Sequence, residues 1–167
     1  MPALAASFDA TGLVLGDATA RVPGLRVRYT TRPGPDGSLD LDFEGHGPPE
    51  ALAQVVEGLK ARYRAVVHDE SHDDQGWRAR VTYNDLSSVL DHPLYGPFLA
   101  WRGHGRKATF HFENGLCVVR VEFEAGEKEA QGMLATLRTN LKRGGVAGDA
   151  HLGLDPDDDA VGNEHLA

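Results

Sequence analysis

A two-residue turn between two alternating segments constrains the fold most. Asn114-Gly115 is a dipeptide typical of the tight turn of a β-hairpin, and every second residue on either side of it is apolar. Pairing outward from this turn brings apolar residues opposite one another: Phe112 with Cys117, Phe110 with Val119, and Ala108 with Val121. The sequence therefore predicts an antiparallel hairpin with one buried face.

A helix is predicted directly after this hairpin, near residues 127–143. Acidic residues occur in its first turn and basic residues in its last, as the helix dipole favours, and Gly144-Gly145 ends it. Its apolar residues recur at helical spacing, and they are Ala130, Met133, Leu134, Leu137 and Leu141.

A similar hairpin-helix unit is predicted over residues 25–67. Its strands are Leu25–Tyr29 and 39–43, and the parity of their apolar positions requires a connecting loop longer than two residues. A helix follows with Pro48 or Pro49 in its first turn, where proline is tolerated. Its apolar stripe consists of Leu52, Val55, Val56, Leu59, Tyr63, Val66 and Val67.

These elements predict an α+β fold. We expect a two-layer sandwich, with a mainly antiparallel sheet of about five to six strands and two long amphipathic helices on one face. The ββα units at residues 25–67 and 108–143 indicate an internal repeat, with chance recurrence of a common pattern as the alternative. The element order resembles several two-layer folds, including small secretion-chaperone and roadblock-like domains, but element order implies no function.

Three further elements are expected between and before the units. Trp77–Tyr83 reads as a strand, a short helix begins at Asn84 or Asp85, and Leu13–Leu15 is a candidate strand. Residues 1–143 are expected to form one domain, and residues 144–167 an acidic, flexible tail.

The acidic charge is concentrated in two segments. Of the 25 acidic residues, four lie in residues 68–74 and six in residues 149–167, and neither segment contains Lys or Arg. Because the rest of the chain is close to neutral, the net charge of −8 does not exclude nucleic acid as a partner.

The cysteine count and the hydropathy pattern indicate a cytoplasmic protein. The only cysteine, Cys117, excludes an internal disulfide and favours a reducing compartment. No apolar run approaches the ~20 residues of a membrane helix, so no membrane partner is expected. The first ten residues lack the basic start of a secretory signal.

The acidic segment 68–74 is the candidate metal site. His68 and His72 are four residues apart and would share one face of a helix, with Asp69 and Asp73 as further ligands for zinc or another divalent ion. The alternative is a solvated acidic loop between a helix and a strand, because Gln75-Gly76 indicates that the helix has already ended.

An aromatic-basic segment over residues 95–107 is the candidate binding surface. Aromatic rings beside cations can stack on bases and neutralise phosphates, or can contact a protein partner or a second copy of the chain. The alternative is that the rings close one end of the core. The residues are Tyr95, Phe98, Trp101, Arg102, His104, Arg106 and Lys107.

Catalytic signals are weak. No nucleophile-elbow, phosphate-loop or dinucleotide-binding motif occurs, and Cys117 is expected to be a buried, inert thiol. We therefore expect a non-enzymatic binding or adaptor domain without a cofactor, which contacts a protein partner or a second copy through a sheet edge or the aromatic loop. The alternatives are a nucleic-acid binder with an autoinhibitory acidic tail, and a metal-dependent enzyme centred on His68 and His72.

Overall fold

The computed structural model describes residues 3–32, 39–73, 76–87, 105–123 and 127–153. Within these ranges the chain forms eight strands and three helices. In chain order they are β1 (Ala3–Asp9), α1 (Val14–Arg21), β2 (Arg26–Arg32), β3 (Leu39–His46), α2 (Pro49–Tyr63), β4 (Val66–Asp73), β5 (Gly76–Tyr83), β6 (Gly105–Glu113), β7 (Leu116–Phe123), α3 (Glu127–Arg143) and β8 (Gly148–Gly153).

The strands form one antiparallel sheet in the order β4-β5-β3-β2-β6-β7-β1-β8. The predicted mixed class and antiparallel sheet are confirmed. The expected count of about five to six strands is wrong, because β1, β4 and β8 also join the sheet. The order β2-β3-α2-β4 recurs as β6-β7-α3-β8, but element order does not establish a duplication, so the internal repeat stays a prediction.

The second hairpin and its helix are confirmed in detail. Phe112 pairs with Cys117, Phe110 with Val119 and Ala108 with Val121, as the turn position predicted. Asn114 and Gly115 both have positive φ angles, 55° and 80°, as in the mirror-image turns whose twist matches that of the strands. The helix occupies the expected residues, Glu127–Arg143.

The first hairpin has the expected parity, but its helix is shorter than predicted. Tyr29 pairs with Phe43, so apolar residues of the two strands lie opposite one another. The helix α2 begins at Pro49. The helix ends at Tyr63 because Arg64 adopts the left-handed conformation, with a φ of 49°. The predicted continuation to Val67 is wrong. Val66 and Val67 are β-branched residues, which favour strands, and they begin β4.

Two predictions near the termini are also wrong. The candidate strand Leu13–Leu15 instead starts α1, and the N-terminal strand is the alanine-rich segment Ala3–Asp9, whose small residues give a weak strand signal. Residues 148–153, expected in the flexible tail, form β8, whose pairing with β1 orders them. Residues 154–167 lie outside the described part of the chain.

The remaining elements between the units are partly described. The strand predicted over Trp77–Tyr83 is confirmed as most of β5. The short helix predicted from Asn84 or Asp85 runs into residues 88–100, which lie outside the described ranges.

The core lies between one face of the sheet and the helices. Residues of the inner strands alternate between buried and accessible, and the apolar stripes of α2 and α3 are buried against the sheet. Thr19 of α1 is 1% exposed; its hydroxyl donates to the Leu15 carbonyl (2.9 Å) and accepts the Gly115 N–H (3.1 Å). This buried hydroxyl therefore fastens α1 to the turn between β6 and β7.

Tyr29 is the centre of the aromatic part of the core. It is fully buried, and its ring stacks at centroid distances of 4.9 Å on Phe43 of β3 and 4.9 Å on Phe110 of β6. Its hydroxyl has no hydrogen-bond partner among the described residues. The ring therefore stabilises the core, whereas the buried hydroxyl lacks the compensation that such a group normally receives.

We predict that Tyr29→Phe leaves the free energy of unfolding unchanged or raises it by about 1 kcal/mol, because it removes only the unpaired hydroxyl. The control Tyr29→Ala also removes the ring and should lower this free energy by about 3–5 kcal/mol. Urea unfolding of the three proteins measures both changes. A loss of more than about 1 kcal/mol in Tyr29→Phe would show that the hydroxyl has a stabilising partner.

Candidate functional site

The second face of the sheet is lined with polar and charged side chains. Strand pairing aligns them in rows, since directly opposed residues point to the same face. One row runs from Arg78 through Glu44 and Arg28 to His111, and the next runs from Arg80 through Asp42 and Thr30 to Thr109. All eight are accessible or half-buried. We call this surface the open face.

Charge on the open face alternates from strand to strand at one end of the sheet. β5 contributes Arg78 and Arg80, and β2 contributes Arg26 and Arg28. The intervening β3 contributes the acidic residues Asp40, Asp42 and Glu44. Along β2, β3 and β5, successive charged residues on this face are two positions apart, which is the period of a strand. The pattern is therefore a set of charged stripes along the strands.

Two ion pairs connect neighbouring stripes. Arg78 Nη2 lies 3.4 Å from Glu44 Oε1, and Arg80 Nη2 lies 3.6 Å from Asp69 Oδ2 on the edge strand β4. Arg78 is 71% exposed and Asp69 is 78% exposed, so solvent screens both pairs and each contributes little to stability. Their side chains are therefore available to other charged groups.

A depression of about 540 Å³ lies among these stripes. A smaller neighbouring depression of about 160 Å³ shares two of its residues, Arg28 and Glu44, and adds Arg26, His46 and His111. Because they share residues, the two form one concave zone on the open face, in the part of the sheet nearest the edge strand β4. The larger one is lined by Arg28, Thr30, Asp42, Phe43, Glu44, Asp69, Arg78, Ala79 and Arg80.

The edge strand β8 is protected against pairing with another strand. The Arg138 guanidinium of α3 donates from Nε (3.0 Å) and Nη2 (2.8 Å) to the Ala150 carbonyl, and the Asp149 carboxylate accepts the Ala150 N–H (2.8 Å). Both backbone groups of Ala150 are thereby occupied by side chains. An incoming strand would have to displace them.

The opposite edge strand, β4, is protected in a different way. Its pairing with β5 is irregular between His68 and Ser71, and Asp69 within this bulge has a positive φ of 50°. Bulges and charged side chains on an edge strand oppose the addition of a further strand. The sheet edges, which the sequence analysis considered as binding surfaces, are thus less suited to that role than the open face.

The structure separates the four candidate metal ligands. The segment is a strand, and its bulge places His68 opposite Arg80 on the open face but His72 opposite Trp77 on the helix-covered face. His68 Nε2 lies 3.2 Å from the Thr82 hydroxyl, and His72 Nε2 lies 3.5 Å from Glu70 Oε1. Asp69 pairs with Arg80 (3.6 Å), and Asp73 accepts the Gly76 N–H (2.9 Å). Within the described ranges no group of three or more potential ligands converges on a metal position.

The aromatic-basic segment is largely outside the described residues. Arg106 and Lys107 lie on β6, next to the centre of the sheet, but the placement of their side chains is not described. The other five candidates lie in residues 88–104, outside the described ranges: Tyr95, Phe98, Trp101, Arg102 and His104. Their proposed role in binding stays a prediction.

Cys117 has the inert environment that the sequence predicted. It is fully buried, and this burial raises the pKa of its thiol well above the ordinary value, outweighing the opposite effect of a hydrogen bond with the His111 backbone. Because the thiolate is the reactive form, a buried thiol that stays protonated is a poor nucleophile.

No protein-family model matches this sequence, and a search of curated proteins found no significant relative. The described residues contain no helix that is both long enough and apolar enough to cross a membrane. The open face was not predicted from the sequence. The sequence shows alternating arginine pairs, Arg26 with Arg28 and Arg78 with Arg80, but it does not show which strands lie side by side.

We predict that raising the pH destabilises the protein partly through Cys117. The thiol has a higher pKa in the folded protein than its unfolded value of about 8.5. Its contribution to the free energy of unfolding is therefore complete below pH ~8.5 and is lost as the pH rises through the folded pKa. The loss should reach up to about 2 kcal/mol by pH ~10. Urea unfolding at several pH values should show a smaller decline in Cys117→Ala than in the wild type.

The pH range of that comparison limits the effect of the tyrosines. Burial also raises the pKa of Tyr63 and Tyr83, but their unfolded values are near 10, so they act mainly above this range. Equal pH dependence in the wild type and Cys117→Ala would contradict the assigned contribution of the thiol.

We also predict that Arg138→Ala loosens β8. Losing the two hydrogen bonds to the Ala150 carbonyl should cost about 1 kcal/mol locally, which corresponds to roughly five-fold faster amide exchange. Hydrogen exchange over residues 148–153 measures this change. The matched control is Lys142→Ala, which removes an exposed cation from the same helix; similar acceleration in both variants would show that Arg138 has no special role at this edge.

Proposed function

We propose that this chain is a non-enzymatic binding domain that contacts a protein partner through the open face of its sheet. The observation that supports this proposal most is the concave zone on that face, where charged side chains from four strands surround about 540 Å³. The described helices pack on the other face, so the side chains of the open face are left accessible to solvent.

The chemistry of this surface favours an electrostatic mode of recognition. The large apolar residues exposed in the described ranges are Val66 and Leu116, which lie on the non-adjacent strands β4 and β7. They do not form a continuous apolar patch. Arginine is enriched in protein interfaces because its planar group forms directional, bidentate contacts with carboxylates. A partner with complementary charges is therefore the expected kind.

The chemistry of the described residues supports binding over catalysis. The lone thiol is buried and protonated, and the candidate metal ligands lie on different faces of β4. The two protected sheet edges favour recognition by side chains of the open face over addition of a strand.

The test is site-specific photo-crosslinking in the source cells. We expect a photo-reactive amino acid at Thr30, an uncharged residue of the concave zone, to form a reproducible adduct with one protein. The control places the same group at Glu57, which is 77% exposed on α2. The Thr30 adduct should be lost in an Arg28→Glu/Arg78→Glu background. Equal labelling from both positions, or no adduct from Thr30, would refute the proposal.

A further inference from the structure

We infer that the partner of the open face is a second copy of this chain, in a weak dimer whose two-fold axis runs parallel to the strands between β3 and β5. This inference rests on the proposed function and identifies its partner. It follows from the order of charge across four adjacent strands of the sheet.

From the edge inward, the stripes are acidic, basic, acidic and basic. β4 contributes the single acidic residue Asp69, the basic stripe on β5 is Arg78 with Arg80, and the acidic stripe on β3 includes Asp42 and Glu44. Arg26 and Arg28 on β2 complete the series. The sequence of signs therefore inverts about the boundary between β5 and β3.

A two-fold axis along that boundary opposes unlike charges throughout. Such an axis places β5 over β3 of the second copy and β4 over β2, while each residue keeps its position along the strand. Arg78 then faces Glu44, and Arg80 faces Asp42. Asp69 faces the neighbourhood of Arg28, because the β4 bulge lies beside the same two rows. Each contact occurs twice, as a two-fold interface requires.

The alternative axis has the opposite result. A two-fold axis across the strands would place every strand over its own copy, so that acidic stripes face acidic stripes and basic stripes face basic ones. Like charges brought together cost free energy. The stripe order thus selects one axis direction from the two that align the sheets. Face-to-face sheets pack about 10 Å apart, a gap that arginine and carboxylate side chains can fill from both sides.

The size of the patch predicts a weak association. Four strands at a spacing of about 4.8 Å are roughly 19 Å wide, and six residues are about 20 Å long. The resulting area of about 400 Å² per copy is half that of a standard interface. Because its contacts are charged and close to solvent, we expect the dimer to form only at high protein concentration and to dissociate as the salt concentration rises.

The test combines sedimentation with a charge exchange. Wild-type protein should dimerise reversibly in about 20 mM salt at high micromolar concentration and be monomeric in about 0.5 M salt. One variant, Arg78→Glu/Arg80→Glu, makes β5 acidic; the other, Asp42→Arg/Glu44→Arg, makes β3 basic. Each alone opposes like charges across the axis and should be monomeric. Mixed together they again oppose unlike charges and should form a heterodimer.

The matched control is Lys60→Glu/Arg62→Glu, which changes the net charge as much as the β5 variant does but lies on the outside of α2. It should dimerise like the wild type. Circular dichroism and thermal unfolding establish that each variant is folded. If a charge variant fails to fold, the Thr30 photo-crosslink decides in its place: it should join β4 of the second copy, within residues 66–73.

Each of the following results would overturn the inference. They are a wild-type protein that stays monomeric in low salt, variants that dimerise singly as well as the wild type does, or a Thr30 crosslink to another region of the second copy. A reproducible Thr30 adduct with a different protein would refute the second copy as partner and leave the proposed function standing. The absence of any adduct and of any dimer would refute both.

Discussion

The pairing of β2 with β6 holds the two halves of the sheet together. Neither strand neighbours the other in the chain, so this contact is non-local, and the stacking of Tyr29 between Phe43 and Phe110 stabilises it. On one side lie β3, β5 and β4, and on the other lie β7, β1 and β8. Without this central pair each half would be a four-stranded sheet with an unprotected edge in the middle of the present core.

One-sided burial determines the character of the other face. Because the described helices cover one side of the sheet, the inner strands alternate apolar and polar residues, and the polar set is brought together on the open face. The same alternation that builds the core therefore also builds the charged stripes. A one-residue register shift would move these charges into the core. The core packing therefore also fixes the positions of the charged stripes.

The sequence predicted the features that depend on local spacing. The register of β6 with β7 follows from Asn114-Gly115 and the pleat, and the extent of α3 follows from its apolar period and its terminal charges. The sheet order could not be predicted, because the contacts of β3 with β5 and of β7 with β1 cross the hairpin boundaries. His68 and His72 lie on opposite faces of β4 because of a bulge, and no residue pattern in the sequence predicts that bulge.

The charged stripes are not required by the stability of the fold. Exposed ion pairs such as Arg78 with Glu44 contribute at most about 1 kcal/mol, and uncharged β-branched residues would suit the same strand positions as well. Core residues such as Tyr29, in contrast, are constrained by packing. The fold thus accommodates the arginines and carboxylates on β2, β3 and β5, but its stability does not require them. Complementary charge determines which partner and which orientation are favoured, and for this reason we propose a role in association for the arrangement.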